Sequence, residues 1–386
     1  MKNKQLPKSI DFLSSHGLTV ISLLFLMVIT IIGTIDQKFI GLYQSQKIYF
    51  ESIYFTIKLF KANGYVFFLP LPGGYTILAV LFVNLILAFV FKFRWRLRTF
   101  GIIVCHIGLL LLLIGSYLTY AYSVHGHMTF AEKEQRGYFV SYTDNEITIT
   151  EFSEQGEETK SFANNYLYKN SNLLAPSKNI HLQVTHFFQN CDAIRNTDNL
   201  FTNQEYVLRK LQPALEAEMN TVGLYTSVYS GKKLIGRYYL YQSVPVVFNY
   251  QEKRYSIHIQ RRKYPVPFSL KLLKFTRELY PGTQTPKHYE SKVTLKEKNH
   301  TGEQTEREIL ISMNRPLRHR GYTFYQSSFN QEQDQMGNTV KYYSTLAVMK
   351  NPAEEWPYFS CLLVVLGMII HFIPKLLRFA QRQGKK

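Results

Sequence analysis

Cysteine is nearly missing from this 386-residue chain, which carries only Cys105, Cys191 and Cys361. Three scattered thiols exclude a disulfide framework, a cysteine-based zinc site, a CxxC redox pair and a CxxCH haem-attachment site within one chain. Tryptophan is as scarce, with Trp95 and Trp356 alone. Acidic residues are few outside one region: of 27 Asp+Glu, 24 fall between Ser123 and Pro357, facing 29 of the 45 Lys+Arg. The remainder of the chain holds 16 basic and 3 acidic residues. Such a surplus raises nucleic-acid binding as a possibility, but the charge gathers at the ends of apolar runs. There it sets membrane orientation, and nucleic acid is set aside as a partner. No phosphate loop, HExxH sequence or nucleophile motif occurs, so no catalytic residue is assigned.

What the chain has in quantity is long apolar stretches. Hydrophobic residues make up 46% of it, concentrated at Leu18–Ile35, Leu69–Phe91, Ile102–Tyr122 and Pro357–Leu376. Each run reaches across a hydrocarbon core of ~30 Å at ~1.5 Å per residue. The mean hydropathy of −0.13 reflects dilution by one long polar insert. The expected fold class is therefore a membrane protein with four transmembrane α-helices and a large, mostly-β extracytoplasmic domain between the third and fourth. Its expected divisions are a membrane region over 1–122 (spans near 18–35, 69–91 and 102–122), a β-rich domain over 123–357, and a last helix with a basic tail over 358–386.

Charge gives an orientation. Lys2, Lys4 and Lys8 precede the first span, Lys92, Arg94, Arg96 and Arg98 join the second to the third, and Lys375, Arg378, Arg382, Lys385 and Lys386 follow the fourth. Alternating helices put these groups on one side, so both termini are expected in the cytoplasm of a bacterium, in its cytoplasmic membrane. The first span is expected to be retained, because its apolar run exceeds that of a signal peptide and no small-x-small cleavage site follows.

Between the first two spans, Phe50, Ile53, Tyr54, Ile57 and Phe60 recur at helical spacing, predicting a short interfacial or packed helix. In the insert, alternating β-branched and aromatic runs predict strands at 180–188, 222–229, 234–241, 244–250, 255–260, 289–296, 305–313, 320–328 and 339–349. Residues 203–219 read as a helix interrupted at Pro213. A β-sandwich or barrel-like domain follows.

Two histidines, His106 and His371, fall inside predicted spans at a similar distance from flanking arginines. An ionisable group at that depth is costly and marks either function or an interhelical hydrogen bond. Neutral imidazoles on facing helices suit haem iron. His125 and His127 share one face if extended, a spacing that fits a metal or a plain surface pair.

Several segments resemble the ResB/CcsB family, a membrane subunit of system II cytochrome c maturation. Gly33-Thr34-Ile35-Asp36-Gln37 is similar to its GTxxQ turn, and Ile48–Phe55 to the aromatic segment that follows. His106-Ile107-Gly108-Leu109 with Gly115 resembles its HxG-containing span, and Gly126, Met128 and Glu132 the lead into its outer domain. Asn314, Pro316 and Leu317, then Gly321, Tyr322, Tyr325 and Gln326, resemble its NxPL…GYxxYQSS signature, and Val348–Pro352 its VxxxP lead-in. The resemblance implies a subunit, not catalytic by itself, of a cytochrome c synthetase (haem lyase) complex. The implied partners are a CcsA/ResC-type protein, apocytochrome c and a thioredoxin-like thiol reductant. It implies haem b, held transiently and shared with the partner, with His106 as axial ligand and His371 as an alternative; no metal beyond haem iron is implied. The Asn314–Gln326 segment is expected to be structural or a docking surface. The competing reading is a membrane-anchored sensory or ligand-binding protein without haem.

Overall fold

The computed structural model describes all residues except 1–6, 63–64, 93–98, 155, 164–170, 178, 196–205, 284, 299–301, 334–338 and 384–386. Lys2, Lys4, Arg94, Trp95, Arg96, Arg98, His300, Lys385 and Lys386 thus lie outside the described residues. Contacts divide the chain into two units, Met1–Ser123 with Asn351–Lys386, and Val124–Lys350.

Four helices in the first unit are long and apolar enough to cross a membrane. A short α1 (Lys8–Leu13) precedes the long α2 (His16–Ile40), which Ser15 caps by accepting the Leu18 N–H. The break between them is clamped by buried Asn84, which donates to the carbonyls of Leu13 and Ser15 and accepts from the Thr19 hydroxyl. After Gly41 the chain forms α3 (Leu42–Ser45), continuing as a π-helical turn over Gln46–Phe50.

The next segment departs from expectation. Instead of a helix through Phe60, β1 (Tyr54–Ala62) and β2 (Tyr65–Pro72) pair as an antiparallel hairpin. The first residues expected in the second span therefore belong to a strand. Aromatic and β-branched residues favour the extended form, and Pro70 and Pro72 keep helix from starting earlier. Helix α4 (Gly74–Leu87) begins after Gly73 and ends in a π-helical turn at Ala88–Lys92.

The third and fourth long helices are α5 (Phe100–Tyr122) and α6 (Trp356–Gln383). Their contact follows a seven-residue stripe. A Cβ added at Gly101 would sit 2.5 Å from the Gly367 carbonyl oxygen, and one at Gly108 would sit 2.9 Å from the Ser360 carbonyl oxygen. At Gly115 it would lie 2.9 Å from the Trp356 Cβ. Small residues let backbones approach where no hydrophobic force drives helices together. The Cys105 thiol donates to the Val364 carbonyl at 3.3 Å within this seam.

The second unit is built from β3 (Val124–Ala131), β4 (Gln135–Ser153), β5 (Gly156–Ala163), β6 (Asn172–Leu174), β7 (His181–Phe188), β8 (Cys191–Arg195), β9 (Tyr206–Lys210), β10 (Gly223–Ser230), β11 (Lys233–Tyr241), β12 (Val246–Tyr250), β13 (Lys253–Leu279), β14 (Pro286–Lys298), β15 (Gln304–Ser312), β16 (Leu317–His319), β17 (Tyr322–Gln333) and β18 (Thr339–Lys350). The helix expected over 203–219 is absent from its described part, which is β9 and a 3₁₀ turn at Ala217–Met219. Pro213 and the pairing of β8 with β9 outweigh the local helical pattern.

Two lobes share the two longest strands. In one, the path β15-β14-β13-β4-β3-β18-β17-β16 curls around Phe130, Phe139, Leu270, Leu295, Phe324 and Leu346. Its ends converge: Ser312 and Arg315 exchange backbone hydrogen bonds, and Tyr289 of β14 donates to the Ser327 carbonyl of β17. In the other lobe, the sheet β11-β10-β7-β6 packs on the remaining halves of β4 and β13 around Ile147, Leu182, Leu224 and Ile257. Strand β13 buries Tyr255, Ile257 and Ile259, then Val266, Phe268, Leu270 and Leu272. Successive strand residues face opposite sides, so moving from odd to even positions turns the strand's buried face over. The change falls where its register with β4 shifts, between Arg261 and Lys263.

Candidate functional site

His106 lies on α5, one residue beyond the glycine-lined seam. Its Nδ1 is 2.8 Å from the Ile102 carbonyl oxygen, one turn back. A carbonyl only accepts, so Nδ1 carries the proton and Nε2 the lone pair. That tautomer, with the ring oriented by a backbone carbonyl, is how a metal-binding imidazole is prepared. The Phe89 ring lies nearly parallel to it, centroids 6.4 Å apart. Phe89 sits in the π-helical turn ending α4, a distortion frequent at functional sites.

His371 is arranged differently. The Lys375 ammonium, which can only donate, lies 2.9 Å from its Nε2 and occupies the lone pair there. Its Nδ1 is buried without a hydrogen-bond partner. The helix register also separates the two histidines. A Cβ at Gly101 would lie 2.6 Å from the His371 backbone nitrogen, so His371 stands opposite a residue five positions before His106, ~7 Å along the axis. The structure therefore places the imidazoles at different levels, not the similar depth that the arginine spacing suggests. The Ile102 hydrogen bond fixes the tautomer of His106, whereas the Nε2 of His371 is engaged by Lys375.

His125 and His127 both lie on β3, as their spacing implies. Among the described residues, no group of three His, Cys, Asp or Glu side chains forms a metal site.

The Asn314–Gln326 segment forms the closure of the barrel-like lobe. Residues after β15 turn through Asn314 and Pro316 into β16, and Arg320 and Gly321, at φ of 50° and 75°, make the tight turn into β17. Glycine takes this left-handed conformation without steric cost. Leu317 and Tyr322 are buried in the core. Gln326 is buried too: its Oε1 accepts from the Ser291 hydroxyl at 2.6 Å, and its Nε2 donates to the Ser344 hydroxyl at 3.1 Å. Ser291 and Ser344 are themselves 2.7 Å apart, so one polar cluster ties β14, β17 and β18 across the core. Nearby, His319 and Arg320 reach Glu297 at 3.0 and 2.9 Å, and the His319 hydrogen bond holds that carboxyl below its ordinary pKa.

This cluster has no nucleophile–base pair and reads as structural. Gln326→Ala is expected to cost ~1–3 kcal/mol by stranding buried hydroxyls. The thermal midpoint should fall, and any activity should decline only in proportion to folded protein. Activity lost at full folded yield would contradict this role.

Residues 234–341, from β11 into β18, match the ResB-like family. The chain is also similar to Protein NrfI of Wolinella succinogenes, 31% identical over 121 residues, which is 31% of this chain and 12% of that protein. The matching stretch is therefore a small part of the length of that curated relative. The family match includes Asn314–Gln326 and does not extend to His106.

Proposed function

From this ResB-like segment, we propose that the chain is a membrane subunit of system II cytochrome c biogenesis. The observation that carries the reading is the NRPL…GYTFYQSS segment, inside the family match and built into the closure of a β lobe, in a chain with four membrane-length helices. The β domain faces outward from a bacterial cytoplasmic membrane, and both termini lie in the cytoplasm. A CcsA/ResC-type partner receives haem together with this chain, and the complex delivers it to apocytochrome c. A thioredoxin-like reductant keeps the acceptor cysteines in thiol form, because the three cysteines here supply no CxxC pair for that work.

In this scheme haem is cargo. His106 binds its iron through Nε2, the nitrogen left basic by the Ile102 hydrogen bond. The partner supplies the second axial position, and His371 is the lesser candidate because Lys375 occupies its basic nitrogen. Phe89 flanks the His106 ring and gives it an apolar neighbour.

Orientation has a direct test. A cysteine introduced at Gly302 is expected to react with a membrane-impermeant maleimide in intact cells, and one at Arg96 only after lysis. The opposite labelling pattern would reject the orientation and, with it, delivery to the outer face. For the function itself, the complex purified with its partner should show the absorption of a low-spin haem. A colourless, fully assembled complex would count against the reading.

A further inference from the structure

A cleft of about 570 Å³ opens in the β domain where its two lobes meet. The size falls in the range of small-molecule sites, and the lining is mostly polar. On one side lie the outward positions of the barrel-like lobe, His127, Thr129 and Thr345, with Ser328 of β17. On the other is Ser243 from the turn after β11, while Lys263 of β13 lies in the same row of the sheet as His127, both paired with Val140 of β4. The cleft exists because β4 and β13 change partners there: their register jumps between Asn145 and Val140 on one strand and Arg261 and Lys263 on the other.

Hydrogen-bond donors predominate in it. His127 stacks on Tyr142 with centroids 5.3 Å apart, and its Nδ1 is buried without a partner. A buried N–H with no acceptor is the less tolerable orphan, so the proton resides on Nε2, the nitrogen that opens on the cleft. Burial also pushes this imidazole below its ordinary pKa of 6.5, leaving it neutral near pH 7 with one N–H to give. Thr129 and Thr345 hydroxyls are 2.9 Å apart, and only one of their two protons is used between them. Lys263 lines the cleft as well, its ammonium lying over the Tyr138 ring at 5.5 Å from the centroid, within reach of the cleft by a side-chain rotation. Arg261 carries a second positive charge on the wall, anchored by donation to the carbonyls of Ala217, Glu218 and Asn220. Glu218 at the rim is the one carboxylate among these lining residues.

We propose that this cleft binds a small ligand through a carboxylate that accepts hydrogen bonds from His127 Nε2–H, the threonine pair and Lys263. A carboxylate is an acceptor with two oxygens and about four lone-pair sites, matching several converging donors. Phosphate sets its oxygens in a tetrahedron rather than in one plane, and some of them would be left without a donor among these groups. The site lies in the β domain and stands independently of haem handling at His106.

The test uses the full chain in detergent micelles and isothermal titration calorimetry near pH 7. Succinate is expected to bind saturably, phosphate more weakly, and the neutral isostere succinamide not at all. Lys263→Met and His127→Phe should each weaken succinate by about tenfold, the loss typical of one charge-assisted or buried hydrogen bond. Lys263 is exposed, so its variant remains informative if His127→Phe fails to fold. Three results would each overturn the proposal: no saturable succinate heat below ~10 mM, equal binding of succinamide, or full succinate affinity in Lys263→Met. Phosphate binding tighter than succinate would reject the carboxylate assignment as well.

Discussion

Haem in the purified complex is expected to fall to background in His106→Gly, with cytochrome c maturation lost alongside it. The size of the effect follows from the proposed chemistry: iron held by one imidazole of this chain would lose that ligand outright. Of the other described histidines in the long helices, His16 opens α2, and His371 is both offset along α6 and engaged by Lys375. The hydrogen bond to Ile102 runs within the same helix, and the Phe89 ring contact between helices is at 6.4 Å, so folded protein should be retained. Glycine costs an exposed helix interior only ~1 kcal/mol. Added imidazole should enter the vacated volume and return part of both haem and activity. His371→Gly should leave haem content close to that of the parent. A His106 variant that keeps its haem and spectrum would dismiss the ligand assignment; one that loses folded protein beyond rescue would make the histidine structural.

A second large effect is expected at Gly108. A leucine there must place its Cβ 2.8 Å from a Val364 methyl and 2.9 Å from the Ser360 carbonyl oxygen. The valine rotamer can yield, but the carbonyl belongs to the backbone of α6 and moves only if the helices separate. The cost is at least ~3 kcal/mol, at the upper end for overpacking. Gly108→Leu should therefore abolish or severely reduce the folded, membrane-inserted protein. Gly17→Leu provides the control, since nothing lies within 4 Å of the Cβ it would add. It should be neutral or mildly stabilising, because leucine is the better helix former. Detergent-solubilised thermal midpoints and membrane yields compare the two. Equal behaviour would mean that the α5–α6 seam does not depend on close approach.

The membrane-length helices could be read directly from the residues, because length and hydrophobicity are properties of a contiguous run. The same holds for most strands after residue 180, where alternation and turn residues sit next to one another in sequence. Local patterns misled where pairing outweighed them: Tyr54–Ala62 has apolar residues at helical spacing, yet its partner Tyr65–Pro72 makes it one arm of a hairpin. The candidate residues divide in the same way. His106 was conspicuous from the sequence because an ionisable group in an apolar run stands out anywhere. Only the three-dimensional arrangement separates it from His371, since the Gly101–Gly367 register and the Lys375 contact join residues whose relation is set by helix packing. The cleft beside His127 was illegible for a related reason. It depends on β13 turning over its buried face between Ile259 and Val266, and on β4 shifting register against it. That change brings Lys263 toward β3 residues well over a hundred positions earlier. Hydrophobicity acts residue by residue and leaves a local trace; cavities and ligand geometries arise from distant segments packing together, and the tertiary structure alone decided them.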